Sequence, residues 1–468
     1  MDKKSTGAVY DARTLGKGKM FVLGFQHMFA MFGATVLVPL LTGLDIATTL
    51  LMAGLGTLLF HALTKGKVPA FLGSSFAFLG GYAAVAPLLD HGAPNTEMLP
   101  YACLGVAAAG LVYLVLAALF KMAGVKKVMR FFPPVVTGPI IISIGLGLAG
   151  SAVSNCQTNW LVAIIALVIV IAANIWGKGM AKIIPILLGV LGSCVIAAIL
   201  AGFWGEITTV IIDSKEHEYI CLFGNESLRL FSVEALNQLK SAAWIGFPIK
   251  WHGTVFGGVD WSNKSLIVSS IIAILPISFA TMMEHIGDIS AISSTVGRNY
   301  IADPGLHRTL LGDGLATTMS ALFGGPANTT YGENTGVLAL SRVYDPRVIR
   351  IAAVLAVILS FSPKFAAIVN LIPTAVIGGI SFVLYGMISA IGVRNVVENQ
   401  VDFTKSRNLI VAAIILVSAL GVGTVSFFVG GVEVKLTALA VASILGIVLN
   451  AVLPGKDYDF NDAPEMQA

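Results

Sequence analysis

The sequence predicts an all-α polytopic membrane protein, with fourteen transmembrane segments in two inverted seven-span repeats. Three observations support this. First, the 468 residues are 56% hydrophobic and only 12% charged, with mean hydropathy +0.87, whereas a soluble domain is about a quarter charged. Second, apolar runs recur from Lys19 to Pro454, many of them long enough to cross the hydrocarbon. Third, the chain matches itself in order. Gln26-His27 aligns with Glu284-His285, Pro69-Ala70 through Phe76 with Pro326-Ala327 through Glu333, and the Pro133, Val136, Gly138, Ile140 pattern with Pro373, Val376, Gly378, Ile380. The repeats are then 20–203 and 265–453, and an odd number of spans inverts the second relative to the first.

Taken in order, the first two spans read 20–42 and 46–64. The third, 69–90, opens on the irregular VPAFLGSSFAF and is expected to break at Leu72 to Phe76. Spans four to seven read 99–122, 130–152, 159–176 and 181–203. A polar stretch, 204–264, follows, to which we assign no role. The eighth and ninth spans read 265–290 and 308–323. The tenth is the least span-like, GGPANTTYGENTGVLALSR from Gly324 to Arg342. Gly324, Gly325 and Pro326 oppose a helix, and Asn328 to Tyr331 favour extended backbone. Gly332, Glu333 and Asn334 then precede an apolar helical run. This reads as a short extended piece entering a half-helix, with Glu333 in the first turn, where a carboxylate suits the positive end of the helix dipole. Irregular backbone at membrane depth is tolerated only against protein or a water-filled cavity, so this stretch should line a site. The last four spans read 347–361, 369–393, 408–428 and 434–453.

Charge orients the spans. With both termini cytoplasmic, 22 of the 29 Lys and Arg fall in inner loops and tails, as the positive-inside rule asks. Residues 1–19 and 454–468 are then cytoplasmic tails, 204–264 is an extracytoplasmic loop, and the bilayer is the cytoplasmic (inner) membrane. The N-terminus has no apolar core followed by a small-residue cleavage site, so no removable signal peptide is expected. A net charge of +4, spread over short loops, does not suggest nucleic acid. Cys103, Cys156, Cys194 and Cys221 show no metal spacing and read as small core hydrophobes. No metal and no cofactor are expected.

Inverted repeats with paired broken helices mark secondary transporters, with the site near the midplane. The ionisable residues expected within spans are His27, Glu284, His285, Asp288, Asp313 and Glu333. A charge at the bilayer centre costs about 2.5–3.5 kcal/mol on insertion scales, so four carboxyl groups at that depth need a reason. Glu284 and Asp288, four residues apart, share a helix face. The two breaks should meet tip to tip, bringing Ser75 and Phe76 to Tyr331, Gly332 and Glu333. Plainer alternatives remain for some of these residues. His27 and His285 as satisfied core histidines, Asp288 as a packing contact, Asp313 as a support for the broken tenth segment, and Gly-Ser-Ser-Phe as a packing seam.

Carboxylates accept N–H donors, free half-helix N–H groups donate to carbonyls, and Phe76 and Tyr331 offer flat rings. No Lys or Arg lies deep enough to neutralise an anion. Such a site suits a small, planar, neutral compound with ring N–H and C=O groups, a nucleobase. An anion transporter of the same plan expects a cation where Glu333 stands. A membrane-embedded enzyme expects a metal cluster or nucleophile constellation, and the sequence offers neither, so we expect no enzymatic activity.

The motifs QHMFAMFGATVLVP (26–39), KVPAFLGSSFAF (67–78), MEHIGD (283–288), DPGLHRTLLGDGLAT (303–317) and NTTYGENTGVLALSR (328–342) resemble the nucleobase–ascorbate transporter family, also called nucleobase–cation symporters of the second type. The resemblance covers essentially all the spans. It implies a core domain of spans 1–4 and 8–11, a gate domain of spans 5–7 and 12–14, a homodimer, and proton symport of a nucleobase. It also implies that Glu284 and Glu333 hold the base and that Phe76 lies beside it. Among the buried ionisable residues, we expect Glu284, Asp288, His27 or Asp313 to serve proton coupling. Glu333 is the choice of the uracil-transporting branch, while Asp288 and Asp313 resemble the xanthine-transporting branch. Ser341-Arg342 stands where the family signature ends in Thr-Arg. Uracil is the expected substrate, with xanthine or another purine as the alternative.

Overall fold

The computed structural model describes residues 8–89, 94–124, 130, 133–212, 215–429 and 432–455. These residues are mostly helical. Among them, seven helices are long and apolar enough to cross a membrane, or eight if one bent pair counts as a single span.

Long apolar runs give long helices. They are α1 (Lys17–Thr42), α2 (Ile46–Leu63), α4 (Leu99–Ala123), α5 (Pro134–Cys156), α6 (Trp160–Ile175) and α7 (Pro185–Trp204). Between α2 and α4 lie a strand, β1 (Leu72–Ser74), and a seven-residue helix, α3 (Leu79–Val85). The third expected span is therefore no continuous helix, and residue 90 lies outside the described residues. The stretch 204–264 is structured. Its strands β2 (Gly205–Ile212), β3 (Lys215–Leu222) and β4 (Arg229–Ser232) form one antiparallel sheet, followed by α8 (Val233–Ser241).

The eighth expected span divides into α9 (Lys264–Ile274) and α10 (Ile277–Val296). Pro276, which has no N–H to give a continuing helix, stands at the break. The expected end at residue 290 is corrected to Val296, where Gly297 at φ 72° caps the helix. Next come α11 (Leu306–Leu322), β5 (Asn328–Thr330), α12 (Gly332–Ser341), α13 (Pro346–Ser360), α14 (Pro363–Asn370) and α15 (Thr374–Glu398). The pair α13 and α14 bends by 89°.

The thirteenth span, expected over 408–428, ends as α16 (Ser406–Gly421). Gly421 and Gly423, the latter at φ 69°, interrupt it. The β-branched and aromatic residues after them form β6 (Val425–Val429), paired with β7 (Val432–Leu436) before α17 (Ala438–Val452).

α5 and α15, which carry the third internal match, pack along each other. Ser389 Oγ donates to the Ile142 carbonyl at 3.0 Å and Asn395 Nδ2 to Thr137 Oγ1 at 3.1 Å. The contact is close enough that a methyl group on Gly145 would stand 2.1 Å from the Tyr385 carbonyl oxygen. Cys103, Cys156 and Cys221 are buried free thiols and Cys194 is half-buried.

Candidate functional site

The two irregular stretches meet. β1 and β5 pair antiparallel in the register Leu72–Thr330, Gly73–Thr329, Ser74–Asn328. The pairing continues at both ends, from Ser75 N to the Ala327 carbonyl at 2.8 Å and from Tyr331 N to the Phe71 carbonyl at 3.0 Å. Each strand is also held by a threonine of a neighbouring helix that bonds both backbone groups of one residue. Thr57 of α2 holds Leu72, at 2.9 and 3.1 Å. Thr317 of α11 holds Asn328, at 2.9 and 3.2 Å. A buried extended segment must satisfy its backbone groups locally, and the two hydroxyls do so where the partner strand does not reach.

α12 starts directly after β5, with Tyr331 as its N-cap residue and Glu333 in its first turn. The Tyr331 side chain is buried; its hydroxyl donates to the Ser74 carbonyl at 3.0 Å and lies 3.3 Å from Thr35 Oγ1. Its ring sits on Gly73, where a methyl group would come within 2.4 Å of two ring carbons. Ser75 is buried, with its hydroxyl unbonded among the described residues. Phe76 is half-buried and packs on the cluster that contains Phe71, Tyr331 and Leu338.

Glu284 and Asp288 lie one turn apart on α10, both half-buried, with exposed Gly287 between them. The space beside Gly287, Gly332 and Gly336 is open, since a methyl group on any of them would touch nothing. Glu333, between the last two, is half-buried. Four carboxyl groups thus lie on the three helices around this region: Glu284 and Asp288 on α10, Asp313 on α11 and Glu333 in the first turn of α12.

Deeper in, polar groups run inward from Asp288. Thr330 Oγ1 donates to Asp288 Oδ2 at 2.8 Å and lies 3.5 Å from His285 Nδ1. That ring nitrogen stands 3.3 Å from Asp313 Oδ2, with both side chains fully buried. The Tyr113 hydroxyl bonds Thr281 Oγ1 nearby. His27 lies apart from this row. Buried on α1, it meets Asn334 of α12, whose Nδ2 lies 3.2 Å from His27 Nδ1 and donates to the His27 carbonyl at 3.0 Å.

The expected residues thus fall into three groups. Glu284, Asp288, Gly332 and Glu333 border open space. Asp313 and His285 sit behind them. Tyr331, Ser75 and His27 are buried in the supporting structure, with half-buried Phe76 packed against it. Thr330 and Asn334, which the sequence reading did not single out, bond the expected residues directly. Their signal was position alone, one polar residue on either side of the Tyr331-Gly332-Glu333 turn.

A family described as Xan_ur_permease, a permease family, matches residues 18–427. The chain belongs to this permease family. It is a multi-pass membrane permease. It is 38% identical over 448 residues to the uracil permease of Bacillus caldolyticus, covering 94% of this chain and 93% of that one. It is 36% identical over 453 residues to the uracil permease of Bacillus subtilis, covering 94% of each. Among solved structures, the transmembrane domain of the cyanobacterial bicarbonate transporter BicA superposes with a TM-score of 0.60 at 16% identity, covering 95% of this chain and 99% of that one. At that identity the permease shares a fold with the bicarbonate transporter, and the likeness says nothing of substrate.

Proposed function

We propose that the chain is a proton-coupled symporter that imports uracil across the cytoplasmic membrane. The observation that carries this reading is the placement of Glu284 and Glu333. They stand on two helices whose neighbouring glycines, Gly287, Gly332 and Gly336, border open space, and one of those helices starts at the paired extended segments. Carboxylates there accept the ring N–H groups of a base, and the free N–H groups at the start of α12 donate to its carbonyls. Phe76 supplies an apolar face, Gly332 lets the base approach the backbone, and Ser75 and Tyr331 support the turn. The uracil permeases of the two Bacillus species match the chain at 38% and 36% identity over nearly their full lengths, which supports uracil as the substrate.

The proton enters through the same cluster. In our reading Glu284 or Asp288 takes it from the open side, the row through Thr330 and His285 to Asp313 steadies it, and His27 supports the turn at Asn334. One charge moved across about 100 mV is worth about 2.3 kcal/mol, enough for about 40-fold accumulation.

The frame we propose is fourteen spans in two inverted repeats, 20–203 and 265–453, with cytoplasmic tails 1–19 and 454–468 and an outer loop 204–264. A core of spans 1–4 and 8–11 moves against a gate of spans 5–7 and 12–14, in a homodimer. Xanthine is the second reading, favoured by Asp288 and Asp313 beside the site. The test is Glu284→Gln in an uptake assay. This variant should lose accumulation of uracil against its gradient, and retained accumulation would remove Glu284 as the proton carrier.

A further inference from the structure

The N-terminal segment is built into the helices that carry the site. Val9 pairs as a parallel bridge with Val343, from Val9 N to the Arg342 carbonyl at 2.9 Å and from Tyr344 N to the Val9 carbonyl at 2.8 Å. Arg342 is the C-cap of α12, held in the left-handed region at φ 54°. The next residue, Tyr10, reaches the other way. Its hydroxyl donates to the carbonyl of Val296, the last residue of α10, at 2.8 Å. The Arg298 guanidinium lies 4.4 Å from the centre of the Tyr10 ring, and the Tyr344 ring is 5.5 Å away.

Further contacts lock the segment. Ala12, fully buried, donates its N–H to Asp345 Oδ2 at 2.7 Å and packs with Val343 and Val348. Asp345 also caps α13, and Arg347 Nη1 bonds both Asp345 and Asp11, at 3.2 and 3.0 Å.

Two consecutive residues thus hold the C-terminal ends of the two helices whose other parts present Glu284 and Glu333. From Val296 to Glu284 is about 18 Å along α10, and from Arg342 to Glu333 about 13 Å along α12. A helix transmits position over that length with little loss, so fixing the two ends fixes the gap between the carboxylates.

We propose that Tyr10 is a positioning residue for the substrate site, setting the spacing of Glu284 and Glu333 by tying α10 to the bridge at Val343. The proposal rests on the reading of those two glutamates as the base-holding pair. It concerns affinity rather than the presence of a fold, because α10 and α12 are held elsewhere by β5 and Thr330.

The experiment uses the full chain in membranes and after purification. Tyr10→Phe keeps the ring and removes the hydroxyl, Tyr10→Ala removes both, and Arg13→Ala, exposed and, among the described residues, ion-paired with Asp11, is the control. Loss of one hydrogen bond is worth about fivefold in an equilibrium. Tyr10→Phe should raise KM for uracil, and Kd of the purified protein, about fivefold with the maximal rate unchanged. Tyr10→Ala should raise both further, and Arg13→Ala should change neither. Unchanged KM and Kd in both Tyr10 variants overturn the proposal, as does a fall in protein level with Kd intact.

A second measurement separates this idea from the choice of ligand. Spin labels at Ser294→Cys and Leu340→Cys, with the four native cysteines replaced, report the distance between the two helix ends. Tyr10→Ala should broaden that distribution whether or not uracil binds. An unchanged distribution contradicts the positioning role. A broadened one, in a protein that binds no uracil, retains the tie and rejects the substrate.

Discussion

Tyr331 leans on Gly73 across the paired segments, so closely that a side-chain methyl at residue 73 would stand 2.4 Å from two carbons of its ring. The same tyrosine caps α12, and Glu333 follows two residues later. The backbone of one broken segment therefore sets where the carboxylate of the other sits.

Gly73→Ala should move the ring and tilt the start of α12. Overpacking of this kind costs about 1–3 kcal/mol, so uracil uptake should fall about fivefold or more while the protein still reaches the membrane. Uptake normalised to protein level checks this, and a variant with full uptake would show that the ring has room to shift.

Thr330→Val keeps the shape and removes the hydroxyl that serves Asp288 and lies beside His285. The loss is about 1 kcal/mol for the bond, or about fivefold in the affected equilibrium. The accumulation ratio at steady state should drop, with exchange of labelled for unlabelled base across the membrane less affected. An equal loss of both would place Thr330 in base binding instead.

Asp313→Asn leaves the volume of the buried side chain unchanged and removes the acid facing His285. If Asp313 serves the proton, accumulation should disappear while exchange at equal base concentrations persists. Retained accumulation under a proton gradient would assign Asp313 to structural support of the extended segment.

How much of this was legible beforehand depends on the kind of signal. Glu284 and Asp288 stood out because four-residue spacing places them on one face, and the repeated Pro-Ala stretches located both breaks. Thr330 was hidden because a threonine in a short strand carries no periodicity, and its partners lie 42 and 45 residues away. Tyr10 was hidden more deeply, since its bond to Val296 spans 286 residues. The sheet of β2 to β4 was missed because the stretch 204–264 was read as polar as a whole, and the apolar Ile207, Val210 and Ile211 within β2 lie next to polar neighbours without a long alternating run.

The contact between Lys67 and Asp303, 2.5 Å apart, predicts what acid will not change. The lysine's hydrogen bond holds the Asp303 carboxyl below its ordinary range. A group depressed in the folded state contributes above its unfolded pKa of about 3.9, and that contribution is lost only as pH falls through the lower folded value. Between about pH 5 and 8 the contact therefore stays intact. Lys67→Ala should give the same pH profile of uptake as the parent chain, and a shifted profile would tie this surface pair to coupling.

The central claim is a proton-driven carrier for uracil. Its most direct test is uptake of radiolabelled uracil into cells lacking their own permeases, with a protonophore and with excess unlabelled xanthine. Saturable uptake that collapses with the protonophore and ignores xanthine is the predicted result. Absence of uracil uptake, with xanthine transported instead, would contradict it and give Asp288 and Asp313 priority over Glu333 in choosing the base.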